Sequence, residues 1–190
     1  MEWRFGSPAG QAAMAIATVA VLAALLYAMG REPICPCGAV RLWHGEVPSP
    51  QGSQHLSDWW TFSHVIHGFL FYAALRWAAP RLETGWVFVL ATIAEAGWEI
   101  VENSNWAIER YRTHTVSFDY NGDSILNAIS DVGAMWLGFL LARVLPVWLS
   151  ILIVVVIEAL PMLFIRDGLI LNVLTMLFPM PGVVEWQAGR

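Results

Sequence analysis

Long apolar runs, broken by short polar stretches, set the pattern of this chain. Between Arg4 and Arg31 no charged residue occurs, and Ala12 to Met29 is long enough for a membrane helix, which needs roughly 20 apolar residues. A secretory signal would have a shorter apolar core of about 7–15 residues and a small-x-small cleavage site. Leu26-Tyr27-Ala28-Met29 is a poor one, so this run is expected to be an uncleaved first span. Trp60 to Ala79 predicts a second span and Gly85 to about Asn105 a third. Ser124 to about Ala142 predicts a fourth and Pro146 to Ile165 a fifth. Gly168 to Phe178 is apolar but short, and Pro179 and Pro181 interrupt it. It predicts a broken sixth span or a re-entrant half-helix, tolerated only when buried in protein.

The expected architecture is therefore an all-α membrane protein, a bundle of five to six transmembrane helices with the last short or broken. It forms a single polytopic domain over residues 1–190 with outer loops at about 31–58 and 106–122. No internal repeat, low-complexity tract or second domain is visible in the sequence.

Composition narrows the function. The chain has 190 residues, 57% apolar and 13% charged, with a mean hydropathy of +0.57. Soluble domains carry about 25% charged residues, so a soluble enzyme or a disordered chain does not fit. The net charge of −5 leaves no basic footprint for nucleic acid. All cationic side chains are Arg, which excludes lysine Schiff bases and P-loop lysines. The eleven Trp suit membrane interfaces. With the N-terminus in the cytoplasm, the short inner loops hold Arg76, Arg81 and Arg143. The longer outer loops hold Arg31, Arg41, Arg110 and Arg112. The positive-inside bias weights short loops and favours this orientation.

The spans are not wholly apolar. Ionisable groups at membrane depth are costly and point to function. The second span opens with His64 and His67, one turn apart; the third carries Glu95, Glu99 and Glu102 at i, i+4 and i+7, one helical face. Asp123, Asn127 and Asp131 share a face of the fourth, and Glu158 lies in the fifth. At 1.5 Å per residue, His67, Glu99, Asp131 and Glu158 all lie about 9–12 Å in from the outer ends, although chain direction alternates. One outward-facing polar cluster is expected.

Three uses of such a cluster stay open: a structural polar core of paired groups, a metal or catalytic site, and a proton or ion pathway. As a metal site, His64, His67, Asp123 and Glu158 are the ligand candidates. Two imidazoles with hard carboxylates suit a divalent ion, Zn, Fe or Mn. The Glu-x-x-His pattern of di-iron bundles is absent. As a catalytic site, Glu99, Glu102 and Asp131 are the candidates, with a desolvated Glu102 or Glu95 as general base. Arg110, Arg112, Arg166 and Asn127 would bind substrate at the mouth, since arginine holds phosphate or carboxylate bidentately. Cys35 and Cys37, with His44 and His55 downstream, read as a disulfide, a Pro36-Gly38 turn or a zinc site.

Two function classes follow. One is a metal-assisted hydrolase or transferase acting on a lipid-linked or envelope substrate. The other is a non-catalytic subunit that packs against other membrane subunits, with the cluster purely structural.

Cys35-Pro36-Cys37-Gly38, the run from Ser53 through Asp58-Trp59-Trp60 and His64-Val65-Ile66-His67 to Gly68, Glu99-Ile100-Val101-Glu102-Asn103, Asp119 to Asp131, and Ile165 to Asn172 together resemble an uncharacterised bacterial membrane-protein family, domain of unknown function family 2585. The resemblance covers nearly the whole chain. It implies a multi-pass protein of the bacterial inner membrane and carries no activity. More distantly, the order of His64, Glu99 and Glu102, Arg112, and Asp123 to Asn127 with Gly133 and Gly138 is similar to VanZ-like proteins, which hints at envelope or lipid-linked substrates.

Overall fold

A computed structural model describes residues 6–115 and 117–189. Every regular element among them is a helix: α1 (Pro8–Ala28), α2 (Thr61–Ala78), α3 (Thr84–Glu102), α4 (Asn105–His114), α5 (Ile125–Val144), α6 (Val147–Ile165), α7 (Leu169–Leu177) and α8 (Pro181–Gln187). Side-chain oxygens start several of them. Ser7 accepts from the Gly10 amide, Ser104 from Ala107 and Ser124 from Asn127, each occupying a donor that the first helical turn leaves unpaired.

Four helices, α1, α3, α5 and α6, have the length and apolar composition to cross a membrane. The all-helical membrane-type architecture is as expected, and the five to six spans are an approximate count: among the described residues four helices meet both criteria. α2 has 18 residues but carries His64, His67 and Arg76. It tolerates them because it is packed on α5, α3 and α6, and the face bearing Ser63, His64, Ile66 and His67 is buried in protein. α6 is the opposite case. Pro161 is its one buried residue, and Ile151, Leu152, Val155, Val156 and Leu163 are exposed, the surface of a helix that meets lipid.

α2 and α5 cross at backbone contact. A Cβ on Gly68 would lie 2.1 Å from the Met135 carbonyl oxygen, and one on Gly138 2.0 Å from that of Val65. Only glycine at both positions permits that approach, as in the small-residue seams of membrane helices. The apolar core beside it comprises Leu22 and Leu26 of α1, Val87, Ala91 and Ala96 of α3, and Ala128, Val132, Met135 and Phe139 of α5.

The last apolar run is short, as its prolines require, and forms two helices. α7 has 9 residues and α8 has 7, about 14 and 11 Å, too short to cross a bilayer. α7 packs on α4 through Met176, beside Ala107, Ile108, Tyr111 and Tyr120. α4 lies inside the expected outer loop 106–122.

The links are divided between two ends. Residues 79–83 and 145–146 join helices tightly at one end, where the Gln11 amide also donates to Glu83. The long links gather at the other. The Ile125 and Leu126 amides donate to Glu32 and Pro33 carbonyls, Ser124 N donates to Ser53 O, and the Trp60 indole donates to Asp167. The ends of α1, α3 and α6 and the starts of α2 and α5 therefore sit under one polar cover.

Candidate metal centre

Three helices bring six side chains together beneath that cover. Glu95 of α3 lies between the two histidines of α2: its Oε1 is 2.6 Å from His64 Nδ1 and its Oε2 is 3.0 Å from His67 Nδ1. Both rings turn Nδ1 toward Glu95, and a neutral ring that carries its proton on Nε2 offers Nδ1 as a ligand atom on the side of these carboxylates. One helical turn on, Glu99 Oε1 is 3.4 Å from His64 Nδ1. From α5, Asp131 Oδ2 stands 3.9 Å from His64 Nε2, while its Oδ1 accepts from Thr61 Oγ1 at 3.0 Å. Ligand atoms of His64, His67 and Glu95 fall within 4.8 Å of one another, as do those of His64, Glu99 and Glu102.

Glu99 is 0% exposed, and neither of its oxygens accepts a hydrogen bond; Glu102 Oε2 and Asn127 Oδ1 are also buried without a donor. A carboxylate in that state costs several kcal/mol unless a proton or a cation compensates it. The donor set of two imidazoles and two to three carboxylates suits a divalent metal ion, so the buried His/Glu groups are able to hold one.

The rim fixes the cluster. Asn103, just past α3, donates to the Glu99 carbonyl at 3.0 Å and to Asp123 Oδ2 at 2.6 Å, and accepts from the Asp123 amide at 2.7 Å. Tyr120 donates to Asp123 Oδ1. Burial pushes the Asp123 carboxyl up to about 6 against the pull of those two donors. Burial first, and the neighbouring carboxylates second, hold the Tyr111 and Tyr120 phenols well above their ordinary value, so both stay protonated donors. Asp58 closes the other side. It accepts from the Ser53 and Trp60 amides, its own amide donates to Thr61 Oγ1, and burial raises its carboxyl. A cavity of about 20 Å³, lined by Trp60, Glu102, Tyr111, Tyr120 and Asn172 among others, reaches the edge of the cluster. That is room for roughly one water.

The sequence-predicted residues divide accordingly. His64, His67, Glu99 and Asp131 meet in the cluster, and Glu102 lies at its edge beside the cavity. Asp123 belongs to the rim, where its oxygens are taken by Asn103 and Tyr120 rather than turned to the histidines. Asn127 pins the cover by donating to the His55 carbonyl at 2.9 Å. Glu158 lies apart. Its oxygens accept from the Leu169 and Ile170 amides at 3.0 and 2.9 Å and cap α7, a reach that Gly168 permits because a Cβ there would stand 2.9 Å from the carboxylate. Arg110 is committed to the other end of α7, donating to the Met176 and Leu177 carbonyls. Arg166 donates to Trp186 O and lies over the Trp186 ring. Arg112 is exposed on α4. The three arginines therefore do not line one mouth. Sequence reasoning treated Glu95 only as a possible base, although it is the residue that joins the two histidines; its place one turn before Glu99 on the same face was the signal. In the cover, Cys35 and Cys37 form a disulfide.

Comparison with known proteins bears on the whole chain. The family model described as "Protein of unknown function (DUF2585)" matches residues 26–189. A UPF0314 protein of Paracoccus denitrificans (strain Pd 1222) is 60% identical over 172 residues, covering 90% of this chain and 89% of the relative. UPF0314 proteins of Sphingopyxis alaskensis and Novosphingobium aromaticivorans are 48% and 47% identical. Those alignments cover 93% and 87% of this chain, and 94% and 86% of the relatives. No solved structure matches.

Proposed function

The chain belongs to the DUF2585 family, and on that premise we propose that it is a multi-pass protein of the bacterial inner membrane, one transmembrane domain, whose buried centre holds a divalent metal ion (Zn, Fe or Mn) and acts as a hydrolase or transferase on a lipid-linked or envelope substrate. The carrying observation is Glu99, fully buried beside His64 with both oxygens undonated. A cation at that point compensates its charge, and His64, His67, Glu95 and Glu99 would hold it. Such an ion supplies the Lewis acidity that lowers the pKa of a bound water.

The chain's own residues do the remaining work. Glu102, which lines the water-sized cavity, is placed to take a proton from water. Tyr111, hydrogen-bonded to Glu102, orients that carboxylate. Asp131, steadied by Thr61, faces His64 Nε2 and favours a charged or metal-bound ring. Asn103 ties the backbone at Glu99 to Asp123, so the ligand face of α3 is held against the start of α5. A substrate larger than water reaches the centre only when the cover moves, because the cavity holds about one water. Arg76, Arg81 and Arg143 near the short links favour a cytoplasmic position for that end by the positive-inside bias, which would turn the centre outward.

Thermal unfolding with and without chelator tests the reading. Loss of a ligand present at about a hundred times its Kd removes about 2.7 kcal/mol, or about 5–10 °C in Tm for a chain of this size. Wild type is expected to lose that much on chelation, and Glu99→Gln to be insensitive to it. The second reading, an accessory subunit with a structural cluster, is favoured by the pairing of Glu95 with both histidines and of Asp131 with Thr61. Under it, chelator changes nothing in wild type and Glu99→Gln is neutral or stabilising, because it removes an uncompensated buried charge.

A further inference from the structure

The cover contains a second group of ligand atoms, separate from the intramembrane centre. Cys35, Cys37 and His55 offer two sulfurs and a ring nitrogen within 4.8 Å of one another. They come from two parts of the sequence that the fold pins together: Glu32 and Pro33 carbonyls hold α5 amides, and Asn127 of α5 holds the His55 carbonyl. His55 is 1% exposed, and its Nδ1 is buried with no hydrogen-bond partner, while its Nε2 faces Gln51 Oε1 at 3.3 Å. A buried imidazole nitrogen without a partner is costly, and this ring belongs to a group that also holds both cysteines. The Cys37 amide donates to Cys35 Sγ at 3.2 Å, a contact that favours a thiolate at Cys35. His44 stands beside His55, with ring centroids 5.2 Å apart. Thiolate and imidazole together are the usual ligands of zinc.

We propose that Cys35, Cys37 and His55 form a redox-gated zinc site in the outer cover, closed to metal as the disulfide seen here and competent once that bond is reduced. Cys35 is buried but Cys37 is exposed, so an external thiolate can reach the Cys37 sulfur. A dithiol reductant attacks there, the Cys35–Cys37 bond breaks, and the reductant leaves as its own disulfide. Two electrons and two protons pass to Cys35 and Cys37. The two thiols release those protons to solvent as Zn²⁺ binds, and His55 is the third ligand, leaving the fourth position open. Oxidation by a protein disulfide takes the two electrons back, re-forms the Cys35–Cys37 bond and expels the ion. The site thus couples metal occupancy to the thiol poise outside the membrane.

The test counts zinc on the full chain in detergent, oxidised against anaerobically reduced, after removal of reductant, by competition with a chromophoric chelator. The reduced chain is expected to hold about one zinc more than the oxidised chain, whatever the intramembrane centre binds in both. Cys35→Ser/Cys37→Ser abolishes the difference, and His55→Ala weakens the extra site at least about tenfold. Should His55→Ala fail to fold, Co²⁺ added to the reduced wild type gives the same answer. A thiolate-to-cobalt charge-transfer band supports the site, and a spectrum with no sulfur band overturns it. Equal zinc in both redox states also overturns it, and leaves the intramembrane centre untouched.

Discussion

Glu95 and Glu99 sit one turn apart on the same face of α3 and are equally buried, yet their surroundings differ. Glu95 is met by two imidazoles, Glu99 by no donor. Removing the charge therefore has opposite consequences at the two positions in metal-free protein. Glu95→Gln leaves two buried histidines without their carboxylate and is expected to cost about 3–5 kcal/mol, read as a fall in Tm. Glu99→Gln removes a buried carboxylate that no hydrogen bond satisfies and is expected to hold or raise Tm. Asp123 supplies a pH dependence. Its carboxyl titrates at about 6 when folded against 3.8 as the ordinary value, so between those pH values the folded chain binds more protons than the unfolded. Stability in chelator-treated protein is therefore expected to fall as pH rises from about 4 to about 6, and Asp123→Asn to flatten that slope, as Tm against pH would show. His64, His67, Glu99 and Asp131 were legible from helical spacing and depth. Glu158, Arg110 and Arg166 were not, because their partners are backbone groups of α7 and α8 that exist only once those short helices form.

At the level of elements, hydropathy located every long helix to within a few residues, since a run of apolar side chains reports its own length. It could not report that the histidine-bearing face of α2 is buried against protein, which is what lets a helix with two histidines sit among apolar ones. Nor did it show α4, whose Asn105–His114 sequence is polar and whose signals are a Ser104 cap and the apolar trio Ala107, Ile108 and Tyr111 turned toward α7. The α2–α5 crossing makes a sharper demand. Gly138→Ala would drive a methyl into the Val65 carbonyl, forcing the two helices apart. Overpacking of this kind costs about 1–3 kcal/mol, and because Asp131 and His64 lie on those helices, the same variant is expected to lose metal as well as Tm. Replacing Cys35 and Cys37 with Ser should leave Tm nearly unchanged, since a disulfide spanning a sequence separation of 2 restrains the unfolded chain little.

Across the whole molecule the asymmetry is plain: tight links at one end, and at the other a polar cover made of residues 29–60, the segment around α4, and α7 with α8. Arginines in the short links predict that their end faces the cytoplasm, and a membrane-impermeant maleimide applied to reduced, intact spheroplasts checks it. Labelling of Cys37 from outside is expected; labelling only after permeabilisation would reverse the topology. The central claim, a divalent metal held by the intramembrane histidines and glutamates, is tested most directly by elemental analysis of the purified chain with its disulfide intact. Wild type is predicted to carry roughly one Zn, Fe or Mn ion per chain, with His64→Ala and Glu99→Gln carrying less than about a tenth of that. Wild-type protein without stoichiometric metal, or variants that keep it, would contradict the account.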